Sequence, residues 1–140
     1  MLPTILQDIR TKLAGVSSIK EIYGYPLEGN PKKFPAAIFF FDRFDNSFST
    51  VADNFKVLNF KLYLVINSSG TSVETIQESV MPKLIDAVVS KFDAEWNGGT
   101  INGHRVWSLI TGGELSVSVE QKGKTVTADL TIQVKLSTQN

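Results

Sequence analysis

The residues that could do chemistry are few and scattered along this 140-residue chain. Because the chain has no cysteine, it can form no disulfide, thiolate nucleophile or zinc-thiolate site. His104 is the only histidine, so a histidine-rich metal site is excluded and a catalytic triad would have to be built around this one residue. It directly follows Asn102-Gly103, a pair typical of a hairpin turn. We interpret His104 as a partly exposed strand residue.

The acidic residues and glycine pairs do not form a recognisable site either. Asp42, Asp45 and Asp53 share one polar segment, but they lack the glycine and the terminal glutamate of a calcium loop. Gly98-Gly99 and Gly112-Gly113 do not have the spacing of a phosphate-binding loop and are interpreted as bends. The sequence therefore predicts no catalytic group, no metal and no cofactor, and we expect a protein that is not an enzyme.

One reading from a different functional class stays open. A small hydrolase or ligand-binding domain could use Asp42, Asp53, His104 or Trp107 around a pocket. This reading requires that the four side chains converge in the fold. Nothing in their spacing along the chain indicates that they do.

Composition narrows the class of protein. The chain is 42% hydrophobic and 20% charged, which is typical of a globular protein, and its length predicts one domain over 1–140. Fourteen basic and fourteen acidic residues give zero net charge, which argues against a nucleic-acid-binding protein. No apolar run is long enough to span a membrane, and the N-terminus lacks the features of a secretory signal. We expect the protein to be made in the cytoplasm.

Apolar periodicity predicts two helices. The first starts near Leu2 and ends before Gly15, because apolar residues recur at helical spacing between them. The second covers Thr71 to Phe92, with Thr71 and Glu74 as a capping box. Pro82 lies inside it and predicts a kink near Ser79 or two abutting helical segments.

The remaining apolar segments predict strands. Ile19–Tyr25 could form a short strand, and the run Ala36–Phe41 is apolar on both faces, as in a central strand. Phe55–Asn67 is the longest strand signal, with one apolar face and one mixed face, and His104–Ile110 forms another strand. The alternation places one set of side chains in the core: Leu58, Phe60, Leu62, Leu64 and Ile66. The predicted fold class is α+β, a mainly antiparallel sheet with two helices, the longer packed on one face of the sheet.

The last third of the chain reads as one β-hairpin from Leu115 to Leu136. We predict a turn about Lys122-Gly123, after a bend or bulge at residues 111–113. Its apolar residues then share one face, and Val119 lies opposite Val126. The other face is rich in serine and threonine. Charges near the strand ends, Glu114, Lys122 and Lys124, keep the edge soluble or take part in an interaction.

The segment Asp42–Asn54 has no regular hydrophobic period and is rich in turn-forming residues. We predict a long loop between two strands, carrying Phe44 and Phe48. Long loops in compact domains are often functional. Two interpretations stay open: the two phenylalanines bind a partner, or they tuck back onto the core.

The order of these elements resembles the tail terminator proteins of long-tailed bacteriophages, which include the minor tail protein U and tail-to-head joining types. The resemblance covers about Leu6 to Leu136. It lies in a short N-terminal helix, the proline-entered strand Phe34-Pro35-Ala36-Ala37-Ile38, a long variable loop, a long strand, one amphipathic helix and a terminal hairpin. Pro82 within the middle helix departs from that layout.

The resemblance implies a virion structural protein without catalytic activity. It would assemble as a homo-oligomeric ring, hexameric in the family, on the head-proximal end of the tail tube, where it stops polymerisation and offers the head-joining surface. Its partners would be itself, the tail-tube protein and the head-completion or connector protein, with neither a membrane nor a specific nucleic-acid sequence. A neck, head-completion or tail-tube subunit is the alternative within the same particle. Candidate contact residues are Arg43, Phe44, Phe48, Lys56, Lys122 and Lys124.

Overall fold

The computed structural model describes residues 2–48, 53–68, 72–101, 103–120 and 123–139. These residues form two helical regions and six strands. The elements are α1 (Leu2–Ala14), β1 (Glu21–Tyr23), β2 (Ala36–Phe48), β3 (Asp53–Asn67), α2 (Val73–Thr75), a π-helical turn (Ile76–Val80), α3 (Met81–Ala94), β4 (Asn97–Ile101), β5 (His104–Glu120) and β6 (Gly123–Gln139).

The six strands form one sheet in the order β1-β2-β3-β6-β5-β4. Only β1 is parallel to its neighbour β2; every other pair is antiparallel. The predicted class, α+β with a mainly antiparallel sheet, is confirmed. The short strand suggested within Ile19–Tyr25 forms as β1, but its parallel pairing with β2 was not part of the prediction. It arises because residues 24–35 carry the chain back to the end of the sheet at which β1 begins.

The hydrophobic core lies on one face of the sheet. The predicted core set of β3, Leu58, Phe60, Leu62, Leu64 and Ile66, is buried, and so are alternate residues of β6 from Val126 to Leu136. Ile5, Ile9 and Leu13 of α1 belong to the same buried cluster, as do Leu84, Val88 and Phe92 of α3. The opposite face of the sheet carries polar side chains, including the ion pair between Lys61 and Asp129 at 3.6 Å.

A buried lysine lies within this core. Lys12 of α1 is only 4% exposed, and its Nζ donates a hydrogen bond to Ser108 Oγ on β5 at 2.6 Å. The same ammonium lies 3.1 Å from Asp8 Oδ2 and 5.3 Å from the centre of the Phe92 ring. Because a buried charge is tolerated only with such partners, this cluster fixes how α1 lies against β5 and α3. The helical spacing alone did not identify Lys12 as an inward-facing residue.

The second helical region has the interruption that Pro82 predicts. The π-helical turn Ile76–Val80 joins α2 to α3, and Pro82 lies in the first turn of α3, where its missing N–H is least costly. The capping box is placed differently from the prediction. Thr71 lies outside the described residues, and the helix is capped by Ser72, whose Oγ accepts a hydrogen bond from Thr75 N at 3.2 Å.

The predicted long loop Asp42–Asn54 is wrong. β2 continues to Phe48 and pairs with β3 down to Phe48 opposite Asn54, so the described residues of this segment belong to a hairpin. A bulge between Phe41 and Arg43 absorbs one residue and interrupts the alternation. Cross-strand pairing with the strongly alternating β3 outweighs the turn preference of individual residues in the segment.

The terminal hairpin forms, but its register differs by two residues from the predicted one. Glu120 pairs with Gly123 and Val117 with Val126, whereas the prediction paired Val119 with Val126. Lys122, which the prediction placed in the turn, lies outside the described residues. A shift of two residues keeps every side chain on its predicted face, because side chains alternate with period two.

Two features of the sheet precede the terminal hairpin: a bulge in β5 and the short strand β4. The predicted bulge within residues 111–113 is confirmed between Ile110 and Gly112. Asn97–Ile101 forms β4 and pairs with the start of β5, and the Gly98-Gly99 pair interpreted as a bend lies where this pairing is irregular, between Asn97 and Thr100. Ile101 lies opposite His104, as expected for a two-residue turn.

We predict that Ser108→Ala lowers the free energy of unfolding by about 1–3 kcal/mol, because the buried ammonium of Lys12 loses a hydrogen-bond partner. The double variant Lys12→Met, Ser108→Ala should recover most of that loss, since it removes both polar groups from the core. Urea unfolding of the three proteins measures both effects. A double variant as unstable as Ser108→Ala would show that the buried lysine is not the source of the cost.

Candidate functional site

Both lateral edges of the sheet are open over most of their length. β1 pairs with β2 only from Ala36 to Ile38, and the register of β4 with β5 ends at Trp107. Within the described ranges, no strand pairs with the outer side of β2 from Phe39 onward or of β5 from Leu109 onward. Such edges present unpaired backbone N–H and C=O groups and can add a strand from another chain.

The two open edges run in opposite directions. Each step from β2 through β3 and β6 to β5 is antiparallel, so β5 is antiparallel to β2. When β5 of one copy is placed beside β2 of a second copy so that the two sheets continue each other, the two strands are antiparallel. The fold can therefore continue its own sheet into a second copy without changing strand direction.

Apolar side chains are exposed beside both open edges. Phe44 on β2 is 57% exposed, and Leu115 and Val117 on β5 are 43% and 40% exposed. Phe44 pairs with Leu58, and Val117 with Val126, so these residues lie on the same face as the core. They extend the apolar face beyond the part that the helices cover.

A groove borders Phe44 at the end of the sheet where α1 begins. It has a volume of about 430 Å³, and Leu2, Phe41, Leu58 and Leu136 form its apolar lining with Phe44. Lys56 and His104 also line it. The groove can hold an apolar side chain beside an anionic group, since Lys56 supplies a positive charge.

A second groove lies beside the open edge of β5. It has a volume of about 320 Å³ and is lined by Ile85 and Val89 of α3, by β5 residues 110–115 and by Leu130. Its floor is at Gly113, where the side chain of Leu130 occupies the space that a Cβ would need. The missing side chain of Gly113 is thus required for the close packing of β5 against β6.

The structure divides the predicted contact residues among three places. Phe44 and Lys56 line one groove together, as a shared contact surface requires, although they belong to two paired strands and not to one loop. Arg43 is exposed on the opposite face, paired with Asn59. Phe48 ends β2, and its side chain is not among those described.

The predicted contact at the terminal turn lies far from the other residues. Lys124 is exposed at the start of β6, where its N–H donates to Ser68 Oγ at 3.2 Å and its carbonyl accepts from Ser68 N at 2.8 Å. Lys56 pairs with Leu136 near the other end of β6. The structure therefore places Lys124 and Lys56, two of the predicted contact residues, at opposite ends of β6.

Sequence reasoning missed the exposed Leu115 and Val117. Their alternation assigned them to the apolar face, which is correct, and hence to the packed hairpin core, which is not. Alternation identifies a face but not the length over which helices cover it. In the sequence, the exposure of these two residues was indicated by their position near the end of the hairpin alone.

Among the residues of the hydrolase alternative, His104, Trp107 and Asp42 do not share one groove, and the side chain of Asp53 is not among those described. His104 lines the groove at Phe44, and its Nδ1 lies 2.9 Å from the carbonyl oxygen of Ser137. Trp107 pairs with Lys135 on the other face of the sheet, and Asp42 is exposed at the bulge of β2. Among the described residues, no three histidine or acidic side chains are grouped so that they could hold a metal ion.

The described helices include none that is both long and apolar enough to cross a bilayer. Neither a family model nor a curated protein matches the chain. Among solved structures, the chain is similar to one described as "Virion of native gene transfer agent (GTA) particle", with 12% identity over 93% of this chain and 92% of that one and a TM-score of 0.49. A TM-score at this level does not establish a shared fold, so the match carries no argument about function.

We predict that Gly113→Ala lowers the free energy of unfolding by about 1–3 kcal/mol, because the added methyl group overlaps Leu130 and the backbone of Asp129. Gly112→Ala is the matched control, since nothing lies within 4 Å of the position its Cβ would take. Thermal unfolding of both variants measures the difference. Equal stability of the two would contradict the packing described at Gly113.

Proposed function

We propose that this protein is a structural subunit of a phage-type virion that works by assembly and not by catalysis. Its specific role in this proposal is that of a tail terminator. Copies of the chain form a ring on the head-proximal end of the tail tube, end tube growth and provide the surface that joins the head. The element order described from the sequence supports this role, and the observation that carries it is the pair of open, oppositely directed sheet edges.

The two edges favour a ring over a two-fold dimer. A contact between β2 of one copy and β5 of the next uses different surfaces on the two partners, so every added copy leaves one free edge of each kind. Such a heterologous contact continues until the rotation closes it into a ring. The hexamer expected from the family resemblance would close with six such contacts.

A closed ring also explains how growth of a tube could stop. A tube grows because each added layer presents the same surface as the layer before. A ring of this protein would bind the last layer with one face and present a different face outward. The tail-tube protein and the head-completion or connector protein are the proposed partners of these two faces.

The decisive experiment combines assembly with function. Native mass spectrometry and negative-stain imaging of the purified protein should show closed rings at micromolar concentration. Addition of the protein to growing tail tubes from the same genome should shorten them, and the capped ends should bind head connectors. A protein that stays monomeric at every concentration, or rings that leave tube length unchanged, would overturn the terminator role.

The double variant Phe44→Ser, Phe48→Ser tests whether this end of β2 takes part. We expect it to remain folded, because Phe44 is mostly exposed, but to cap tails poorly. Circular dichroism checks the fold, and electron microscopy measures tail length and head joining. Normal tails in this variant would remove the proposed contact role of this end of β2.

A further inference from the structure

We propose that Phe44 of one copy enters the groove beside Gly113 of the next copy, as the open edge of β5 adds to the open edge of β2. This proposal rests on the proposed ring and names its subunit contact. The occupant is a second copy of this chain. Three independent features of the described residues support it: face matching, charge matching and the shape of the groove.

Face matching restricts the possible registers. When two copies continue one sheet, core-facing residues must lie opposite core-facing residues, because side chains alternate between the faces. Phe44, Phe41 and Phe39 face the core on β2, and Gly113, Leu115 and Val117 do so on β5. An antiparallel pairing can therefore place Phe44 opposite Gly113. Beyond the β2 bulge, it then places Phe41 opposite Leu115.

The groove at Gly113 suits an aromatic ring. Ile85, Val89 and Leu115 supply an apolar lining, and the Leu130 side chain, which occupies the space above Gly113, adds a further apolar surface for the ring. Aromatic residues opposite glycines are a known stabilising pair in antiparallel sheets. Burial in this groove would remove from water the ring of Phe44, which is 57% exposed in the single chain.

Charge matching selects the same register. With Phe44 opposite Gly113, Arg43 lies opposite Glu114 on the other face of the sheet. Both side chains are exposed in the single chain. Opposite charges directly across an antiparallel pair stabilise it, whereas like charges destabilise it.

The register implies a stagger that suits closure of the sheet. Within one copy, Phe44 is level with Ser108, through Leu58 and Val134. Gly113 is level with Leu130, which lies four residues from Val134 on β6. Pairing Phe44 of one copy with Gly113 of the next therefore shifts the next copy by about four residues, or roughly 13 Å, along the strands. A sheet that closes on itself needs such a stagger between its strands.

The first test is a charge exchange. Arg43→Glu and Glu114→Arg should each weaken ring formation by about threefold to tenfold, measured as the protein concentration at half assembly. The double variant Arg43→Glu, Glu114→Arg should restore assembly, because it reverses the pair. Lys83→Glu, on an exposed position of α3, is the control and should assemble normally. A double variant weaker than both singles would overturn the pairing.

The second test is the aromatic contact. Phe44→Ala should weaken ring formation by about tenfold to a hundredfold, because a buried phenylalanine is lost from each contact. Phe44→Leu should weaken it less, since it keeps part of the apolar surface. Analytical ultracentrifugation measures assembly, and thermal unfolding confirms that the monomer is intact. Unchanged assembly of Phe44→Ala would overturn the proposed contact.

Cross-linking separates this contact from the proposed function. The chain has no cysteine, so Arg43→Cys, Glu114→Cys introduces the only two thiols. Within one copy, β3 and β6 lie between these positions, which are therefore about 14 Å apart across the sheet and roughly 13 Å apart along the strands, beyond the reach of a disulfide. Oxidised rings should therefore give a ladder of covalent oligomers, whereas Arg43→Cys, Lys83→Cys should not. Rings without that ladder would overturn the contact alone; absence of rings in the unmodified protein would overturn the proposed function as well.

Discussion

The structure depends on the uninterrupted pairing of β3 with β6. This ladder runs without a bulge from Asp53 opposite Gln139 to Asn67 opposite Thr125. Because each strand is paired on both sides over most of its length, the two strands fix which side chains face the helices. The core residues of the whole sheet follow from that choice, and so does the mixed character of the other face, on which Phe40 contacts Tyr63 and Lys61 pairs with Asp129. The outer strands β2 and β5 take their register from this central pair.

The outer strands differ from the central pair in that both contain a bulge. One lies between Phe41 and Arg43 on β2, and the other between Ile110 and Gly112 on β5. Bulges at sheet edges limit unspecific pairing with other chains, because they interrupt the regular backbone pattern.

The buried Lys12 has a comparable role inside the subunit. An apolar residue at this position would fill the same space, yet would leave α1 freer to slide along the sheet. The hydrogen bond to Ser108 and the ion pair with Asp8 define one position of the helix. We interpret the cluster as a device for a unique arrangement rather than for added stability, since buried charges contribute little net stability.

The sequence alone determined the elements whose signals are local: the first helix, the interruption at Pro82, the core face of β3, the bulge before the hairpin and the α+β class. An apolar period, a proline inside a helix and a pair of glycines are all properties of neighbouring residues. Only the tertiary structure decided that residues 42–48 form a strand and that the hairpin register differs by two residues from the predicted one. It also decided that Leu115 and Val117 are exposed, because the helices do not cover this part of the sheet. These outcomes depend on pairing and coverage by residues distant in the chain, so no local pattern could contain them.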